Sequence, residues 1–488
     1  MKRILFFACI LLVAAISHAN NVIQLPKHFK VKKTFSGDLN DTESFHLVFS
    51  KNKKTKEQTI HSYIFDGDKT LTLPLINSKN KYSVITFHYD NDVLSVLLQF
   101  EKERKNFLKR IDYDLKQSTV SESDVFSHED IYSTIRLKDK SILVYKYEDS
   151  ISINSYMNNK KPIRKTYKFK DRNDEVYKFF KDKYVSPIRT NEFVSNGATN
   201  NLRLYYHDNA LTFTKDGDIK QRAVGFFNID ISDKKQYNIT ETLSISLKDD
   251  VLKPTLKTFN NPSKKKFKKA TSYFFKGNLF QLGLSKTEGS ILISDISTGK
   301  KLNQITIDSS ILNKIKASKD FKGLEYFLKK AGKNKHNATI TVNETKTDKL
   351  ILRVDYVDAN YTYNYNWWHH HMMFQQHQMM HQNIMNNIRT NLPSRFGPSQ
   401  PNEVSLNYVI KNKKDRYFEL VISKDGEIFN EALPETKHKE INKKEYIDKL
   451  KKNTSLSKKS SCFLKNTFRH IGYSRTLKGL VIQTNKIK

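Results

Sequence analysis

The sequence predicts an all-β fold, and three observations carry that prediction. Short strand-turn-strand units recur along most of the chain. Helical periodicity is confined to three segments. Beyond an apolar N-terminal leader, no run approaches the roughly 20 apolar residues that a membrane-crossing helix needs.

The leader, MKRILFFACILLVAAISHAN, sets Lys2 and Arg3 before an apolar stretch from Ile4 to Ile16, with Ser17 and Ala19 flanking His18. This is the layout of a secretory signal peptide, residues 1–19, with cleavage expected after Ala19 and a secreted or periplasmic mature chain. Phe6, Phe7 and Ala8 match a lipobox poorly, which speaks against a lipid anchor at Cys9. After cleavage only Cys462 remains, so no intrachain disulfide is expected and stability has to come from buried area. The net charge of +34 falls to +32 without Lys2 and Arg3. Such a surface favours anionic partners such as an anionic glycan or another envelope component, although lysine-rich solvated loops account for much of it.

In residues 20–488, expected to form one domain, SVITFHYDNDVLSVLLQF (83–100) sets two apolar runs around Asp90, Asn91 and Asp92, the turn chemistry of a hairpin. The pattern returns at 133–147, 202–214 and 271–285. Aligned on Asn91, Asp139, Asn209 and Gly277, the turns lie 48, 70 and 68 residues apart. Third strands are expected at 108–115, 225–232 and 290–307. Further units are read from 44–75 and from 350–357 continuing to 416–429, with 475–485 expected to add a strand to the first unit.

The turn Asp295, Thr298, Gly299 and Lys300 in the third of those segments resembles the inner turn of β-propeller blades, without the Gly-His and Trp-Asp signatures. The resemblance is to a fold grammar of about 30 residues per unit. It implies an all-β, irregular propeller of six or seven blades; two β-domains joined near 185–200 are the competing architecture. Helices are expected at 309–330, at 439–452 and, shorter, at 174–180, packed on the periphery.

One stretch departs from this pattern. NWWHHHMMFQQHQMMHQ, residues 366–382, holds both tryptophans, five of the fifteen histidines and four of the seven methionines. It lies in an insert, residues 358–403, far longer than a hairpin connection. If residues 367–389 form a helix, His370, Met373, His377 and His381 share a face within an arc of about 80°. Imidazole and thioether together suit copper, and imidazole alone suits zinc. Trp367, Trp368, Phe374, Met379 and Met380 spread apolar surface around the other faces and are the expected partner-contact residues.

No GxGxxG, P-loop, HExxH or GxSxG motif occurs, so no cofactor is called for, and no carboxylate pair can be singled out as catalytic. The basic runs 51–56, 264–269 and 411–414 fall between expected strands, and aromatic interleaving of the RNA-binding kind is missing, which argues against nucleic acid. Cys462 stands among Lys458, Lys459, Lys465 and Arg469, yet a lone thiol is no site. The expected function is therefore a non-enzymatic binding or scaffolding protein of the cell envelope. The alternatives are a propeller hydrolase or lyase acting on an extracytoplasmic substrate, and copper binding through the insert. Because contact is placed ahead of metal binding, Cu(I) and Zn(II) titrations of the mature protein and of a His370→Ala, His377→Ala, His381→Ala variant should show equal, weak uptake. Tight stoichiometric Cu(I) uptake lost in the variant would establish the metal site instead.

Overall fold

The computed structural model describes residues 21–487 except 68, 104, 129–130, 181–184, 189–201, 218–238, 261–266, 268, 319–320, 333–335, 359–415 and 438–442. The described strands form seven sheets that follow one another in chain order. After β1 (Asn21–Gln24), sheet 1 is built from β2 (Phe29–Asp38), β3 (Glu43–Asn52), β4 (Gln58–Asp66) and β5 (Lys69–Ser78). Sheet 2 has β6 (Ser83–Asp90), β7 (Val93–Lys102) and β8 (Lys105–Asp114), with β9 (Thr119–Glu122) and β10 (Phe126–His128) along β8. Sheet 3 has β11 (Ile131–Arg136), β12 (Lys140–Lys146), β13 (Ser150–Met157) and β14 (Ile163–Lys168).

Sheet 4 comprises β15 (Ser186–Pro187), β16 (Leu202–His207), β17 (Ala210–Asp216), β18 (Ile239–Ser246) and β19 (Pro254–Asn260). Sheet 5 comprises β20 (Lys269–Phe275), β21 (Asn278–Leu284), β22 (Gly289–Asp295) and β23 (Lys301–Ile307). In sheet 6, β24 (Lys316–Ala317) precedes β25 (His336–Glu344), β26 (Leu350–Asp358), β27 (Phe418–Ile422) and β28 (Ile428–Phe429); β24 and β28 share the outer edge of β27. Sheet 7 has β29 (Leu456–Phe463), β30 (Thr467–Ser474) and β31 (Gly479–Lys486), and β1 completes it by pairing antiparallel with β31. Every described pairing is antiparallel except β15 with β16.

The first strands of neighbouring sheets face one another. Thr34 Oγ1 on β2 donates to the Lys458 carbonyl on β29 at 2.6 Å. The rings of Phe35 on β2 and Phe87 on β6 lie 5.8 Å apart, and those of Tyr205 on β16 and Tyr273 on β20 lie 5.6 Å apart. The sheets therefore radiate from a centre lined by their first strands, which is the propeller architecture.

What holds them is burial of both faces of each sheet. In β3, Leu47 and Phe49 enter the apolar cluster shared with sheet 2, while Val48 enters the one shared with sheet 7. Leu97 and Leu143 join sheets 2 and 3; Val144, Leu204 and Phe213 join 3 and 4; Tyr205, Phe280, Leu352 and Phe418 run through 4, 5 and 6. Each fully buried Leu or Phe contributes about 1.5–3 kcal/mol. Close packing leaves Gly37 no room: a Cβ there would come within 2.4 Å of the Phe45 and Phe87 rings.

Helices fill the periphery. In α1 (Glu175–Phe179), Asp174 caps the first turn by accepting from Val176 N at 2.8 Å. In α2 (Leu324–Ala331), Leu324, Phe327 and Leu328 are buried, with the Phe327 ring 5.2 Å from that of Phe418. In α3 (Lys443–Lys452), Tyr446 and Leu450 lie against Phe468 of sheet 7.

Charged groups buried between sheets are fully engaged. Between sheets 4 and 5, Arg203 pairs with Asp216, and Asp216 also accepts from the Ser272 N–H at 3.0 Å and its hydroxyl at 2.6 Å. Between sheets 2 and 3, Arg110 Nε donates to Asp112 at 2.8 Å and its guanidinium reaches the Met157 carbonyl at 2.8 Å.

The expected hairpins are present at β6–β7, β11–β12, β16–β17 and β20–β21, and the Asp295 turn forms with its carboxylate accepting from Thr298 N at 2.6 Å and Gly299 at φ 77°. Three expectations need correction. The C-terminal strands do not extend the first sheet: they build sheet 7, and the N-terminal β1 joins them. The third strand of sheet 4 is β18, at 239–246; the stretch 225–232 lies outside the described residues. The helix expected over 309–330 is a 3-10 turn at Ser309–Lys314, then β24, then α2, because Gly323 at φ 90° starts the helix late.

Removing one partner of a buried ion pair leaves an uncompensated charge. Asp216→Asn or Arg203→Met should therefore lower stability by about 3–5 kcal/mol in guanidinium unfolding. Lys248→Gln, which breaks the exposed pair with Asp208, should cost less than about 1 kcal/mol.

Candidate functional site

The two faces of the ring are built differently. One hairpin turn in each sheet, β2–β3, β6–β7, β11–β12, β16–β17, β20–β21, β25–β26 and β29–β30, is two to five residues long, and these turns share one face. Asn91–Asp92, Asp208–Asn209 and Lys276–Gly277 sit at positive φ in such tight turns. These turns are stitched from sheet to sheet: Lys465 pairs with Asp41 at 3.2 Å, Lys276 with Glu344 at 2.6 Å, and Lys140 Nζ donates to Asn209 at 3.1 Å. Arg136 reaches from sheet 3 to both carboxylate oxygens of Asp38 in sheet 1, with its guanidinium 3.7 Å from the centre of the Phe87 ring.

The opposite face takes the connections from second to third strands and from one sheet to the next. The chain leaves β17 at Asp216 and re-enters at Ile239, and leaves β26 at Asp358 and re-enters at Phe418, both on this face. The links carrying α1, α2 and α3 run there as well. Loops displayed on a rigid scaffold are where binding and catalysis concentrate.

At this loop face, five lysines gather around the starts of the first strands of sheets 7, 1 and 2. Lys30 and Lys32 belong to β2, Lys51 to the end of β3, Lys458 to β29, and Lys81 immediately precedes β6. All five are exposed. Partial burial and then the charges of Lys30, Lys51, Lys458 and Lys81 hold the Lys32 ammonium below the usual lysine range. Local backbone irregularity presents them. The register of β2 shifts between Val31 and Lys33, so Lys32 is the extra residue of a bulge; that of β29 shifts between Ser457 and Ser460, across Lys458 and Lys459.

Lys33, beside the bulge, turns the other way. Its ammonium lies 4.6 Å from the centre of the Phe49 ring and donates to the Tyr82 carbonyl. Burial lowers its pKa to about 8.

A serine and a histidine also meet, at Ser36 Oγ and His46 Nδ1, 2.6 Å apart. Both are shut between sheets 7 and 1, and Ser36 is bonded again to Ser460 Oγ at 2.7 Å. Burial, and then Arg469 and His470, lower the His46 pKa to about 3, so the imidazole stays neutral. This pair joins the sheets and meets no solvent, so it is not a nucleophile and its base.

Among the residues singled out from sequence, His370, Met373, His377 and His381, with Trp367, Trp368, Phe374, Met379 and Met380, lie outside the described residues. The connection that carries them departs from the loop face. Cys462 is buried. The cluster at Lys32 and Lys458 was not singled out; its only sequence signals are KVKK at 30–33 and paired lysines at 458–459 inside an otherwise β-forming run. Among the described residues, no three His, Cys, Asp or Glu side chains are grouped as metal ligands, and no helix is long and apolar enough to cross a membrane.

No family model and no curated protein matches the chain. Solved structures similar to it include a propeller domain. The β-propeller domain of the Trilobed protease from Pyrococcus furiosus is 8% identical, with a TM-score of 0.23, over 67% of this chain and 92% of that one. Porphyromonas gingivalis dipeptidyl peptidase 4 is 10% identical, with a TM-score of 0.26, over 69% of this chain and 45% of its own. Pyrococcus horikoshii acylaminoacyl peptidase is 8% identical, with a TM-score of 0.28, over 84% of this chain and 46% of its own. The chain thus spans less than half the length of these two peptidases. Such identities speak to the fold alone and give no residue here a role. Against the expectation of a non-enzymatic scaffold stands the fact that these similar structures are of proteolytic enzymes; the scaffold is not proposed again, and none of their activity is carried over to this chain.

The described geometry carries a test of its own. An unfolded Lys33 holds its proton up to about pH 10.5 and a folded one up to about pH 8, so in that window the unfolded state binds more protons and stability rises with pH. Lys33→Met should abolish the rise between pH 8 and 10.5, measured by guanidinium unfolding at the two ends.

Proposed function

We propose that the chain is a propeller hydrolase that acts on an extracytoplasmic substrate at its loop face. The carrying observation is the division of the ring. On one face a tight hairpin turn closes each of the seven sheets. From the other the long connections depart, and on that face a convergent set of titratable side chains gathers at the starts of β29, β2 and β6. A propeller hydrolase can take its acid and base groups from different sheets, and at the loop face side chains from sheets 7, 1 and 2 meet. The basic leader supports an extracytoplasmic setting.

The purified full chain should be assayed against internally quenched peptides, chromogenic esters and glycosides. Turnover of at least one class, proportional to enzyme, is expected. Lys32→Glu with Lys458→Glu should change kcat/KM about tenfold or more, equivalent to about 1.4 kcal/mol, whereas Lys138→Glu on the tight-turn face should leave it unchanged. No turnover above blank in any class, or equal effects of both variants, would overturn the reading.

A further inference from the structure

Two adjoining first strands break their register at a lysine, and the two lysines share one mouth. On β2 the extra residue is Lys32, and on β29 the irregular stretch holds Lys458. Lys458 has φ 52°, and it is the one non-glycine residue at positive φ that lies inside a strand among the described residues; the others stand in turns and connections. Strain in a strand body is kept where the surroundings over-determine it, and such positions cluster at functional sites. The neighbouring strand fixes this one: the Lys458 carbonyl accepts from Thr34 Oγ1 at 2.6 Å, next to the Ser36–Ser460 hydroxyl contact at 2.7 Å.

The strained backbone displays like charges. Lys30 stands directly opposite Lys51 across the β2–β3 ladder, an unfavourable cross-strand pair. Lys81 and Lys458 bring two more ammoniums within electrostatic reach of Lys32. Repulsion among these groups costs stability in the free protein and is relieved when an anion binds. A patch of one sign of charge also raises the local concentration of an oppositely charged ligand.

We propose that this lysine mouth is the specificity element of the hydrolase reading, on which it rests, and that it recognises an acidic peptide in extended conformation. Lysines are compact point charges that pair with carboxylate and phosphate alike, so the charge calls for an anionic ligand and the spacing selects among them. The spacing favours a strand-like ligand. Lys30 and Lys32 are two residues apart on β2, and alternate side chains of an extended peptide repeat at about 6–7 Å on one side. Cations contributed by three sheets can hold several carboxylates along such a peptide.

Binding is read separately from turnover, by fluorescence anisotropy of a labelled oligoglutamate with the full chain across a salt series. Salt-sensitive binding to oligoglutamate and none to oligolysine is expected. The Lys30→Gln, Lys32→Gln, Lys458→Gln variant should bind at least tenfold more weakly, with a shallower salt dependence and an unchanged circular dichroism spectrum. Lys116→Gln, Lys138→Gln, Lys465→Gln removes the same charge from the other face and should bind as the parent does. Equal loss in both variants would reduce the effect to net charge and overturn the proposal, as would no binding, or tighter binding of polygalacturonate or polyphosphate through the same lysines. Cleavage of peptides without regard to their acidity would sink this inference and leave the hydrolase intact; acidic-peptide binding without any turnover would do the reverse.

Discussion

A sheet that is apolar on both faces cannot stop at itself, and this constraint governs the rest of the molecule. β3 shows it within three residues: Leu47 and Phe49 are buried against sheet 2 and Val48 against sheet 7. Each sheet so built needs a neighbour on either side, and a row of them exposes apolar faces at its ends unless it bends into a ring. Sheet 7 sits against sheet 1 through Ile471, Leu480 and Ile482, and it takes β1 as its fourth strand. The short pairing of Asn21–Gln24 with β31 thus ties the start of the described chain to its end. The same pairing covers an edge that would otherwise template association with another chain.

Apolar contact is not directional, so it sets the spacing of sheets more firmly than their register. The register between sheets is fixed by polar groups that have only one satisfactory arrangement. Arg203 and Asp216 with Ser272, Arg110 and Asp112 with the Met157 carbonyl, and Arg469 with Ser44 and the Phe65 carbonyl each join two adjacent sheets. Buried charges of this kind add little net stability over apolar replacements but punish every arrangement that leaves them unpaired. The neutral His46 plays the same part between sheets 7 and 1.

Much of this architecture was legible in the sequence, and what was missed follows a pattern. Strands such as β7 and β21, with dense apolar residues and a tight polar turn before them, announce themselves. β2 was passed over because its first half, FKVKK, is polar, and a bulge at Lys32 breaks the period of two that identifies strands. β1 was missed because four residues carry no period at all, and its partner lies more than 450 positions away. The helix over 309–330 was drawn too long, since spacing alone does not register that Gly323 takes a left-handed conformation. For the candidate site the sequence pointed to rare side chains in the insert, while the geometry brings together common ones. Nothing in the composition distinguishes Lys32 and Lys458 from the other lysines of this chain, because their significance comes from backbone irregularity and from the adjacency of β2 and β29.

That irregularity bears on how the two faces divide their tasks. On the tight-turn face positive charge is offset locally: Lys465 has Asp41, Lys276 has Glu344, and Arg136 has Asp38 together with an aromatic ring. At the mouth of the loop face the charges acting on Lys32 are those of other lysines. A strongly basic protein can spread its lysines over solvated loops, where repulsion is screened within about 10 Å at ordinary ionic strength. Here four act on Lys32, and Lys32 and Lys458 stand at distorted points of adjacent strands joined by the Thr34 hydroxyl on the Lys458 carbonyl. Register shifts also occur near the start of β6 and β11; what sets β2 and β29 apart is that the irregular stretch carries an exposed lysine in each, one of them with left-handed backbone, on the face that carries the long connections.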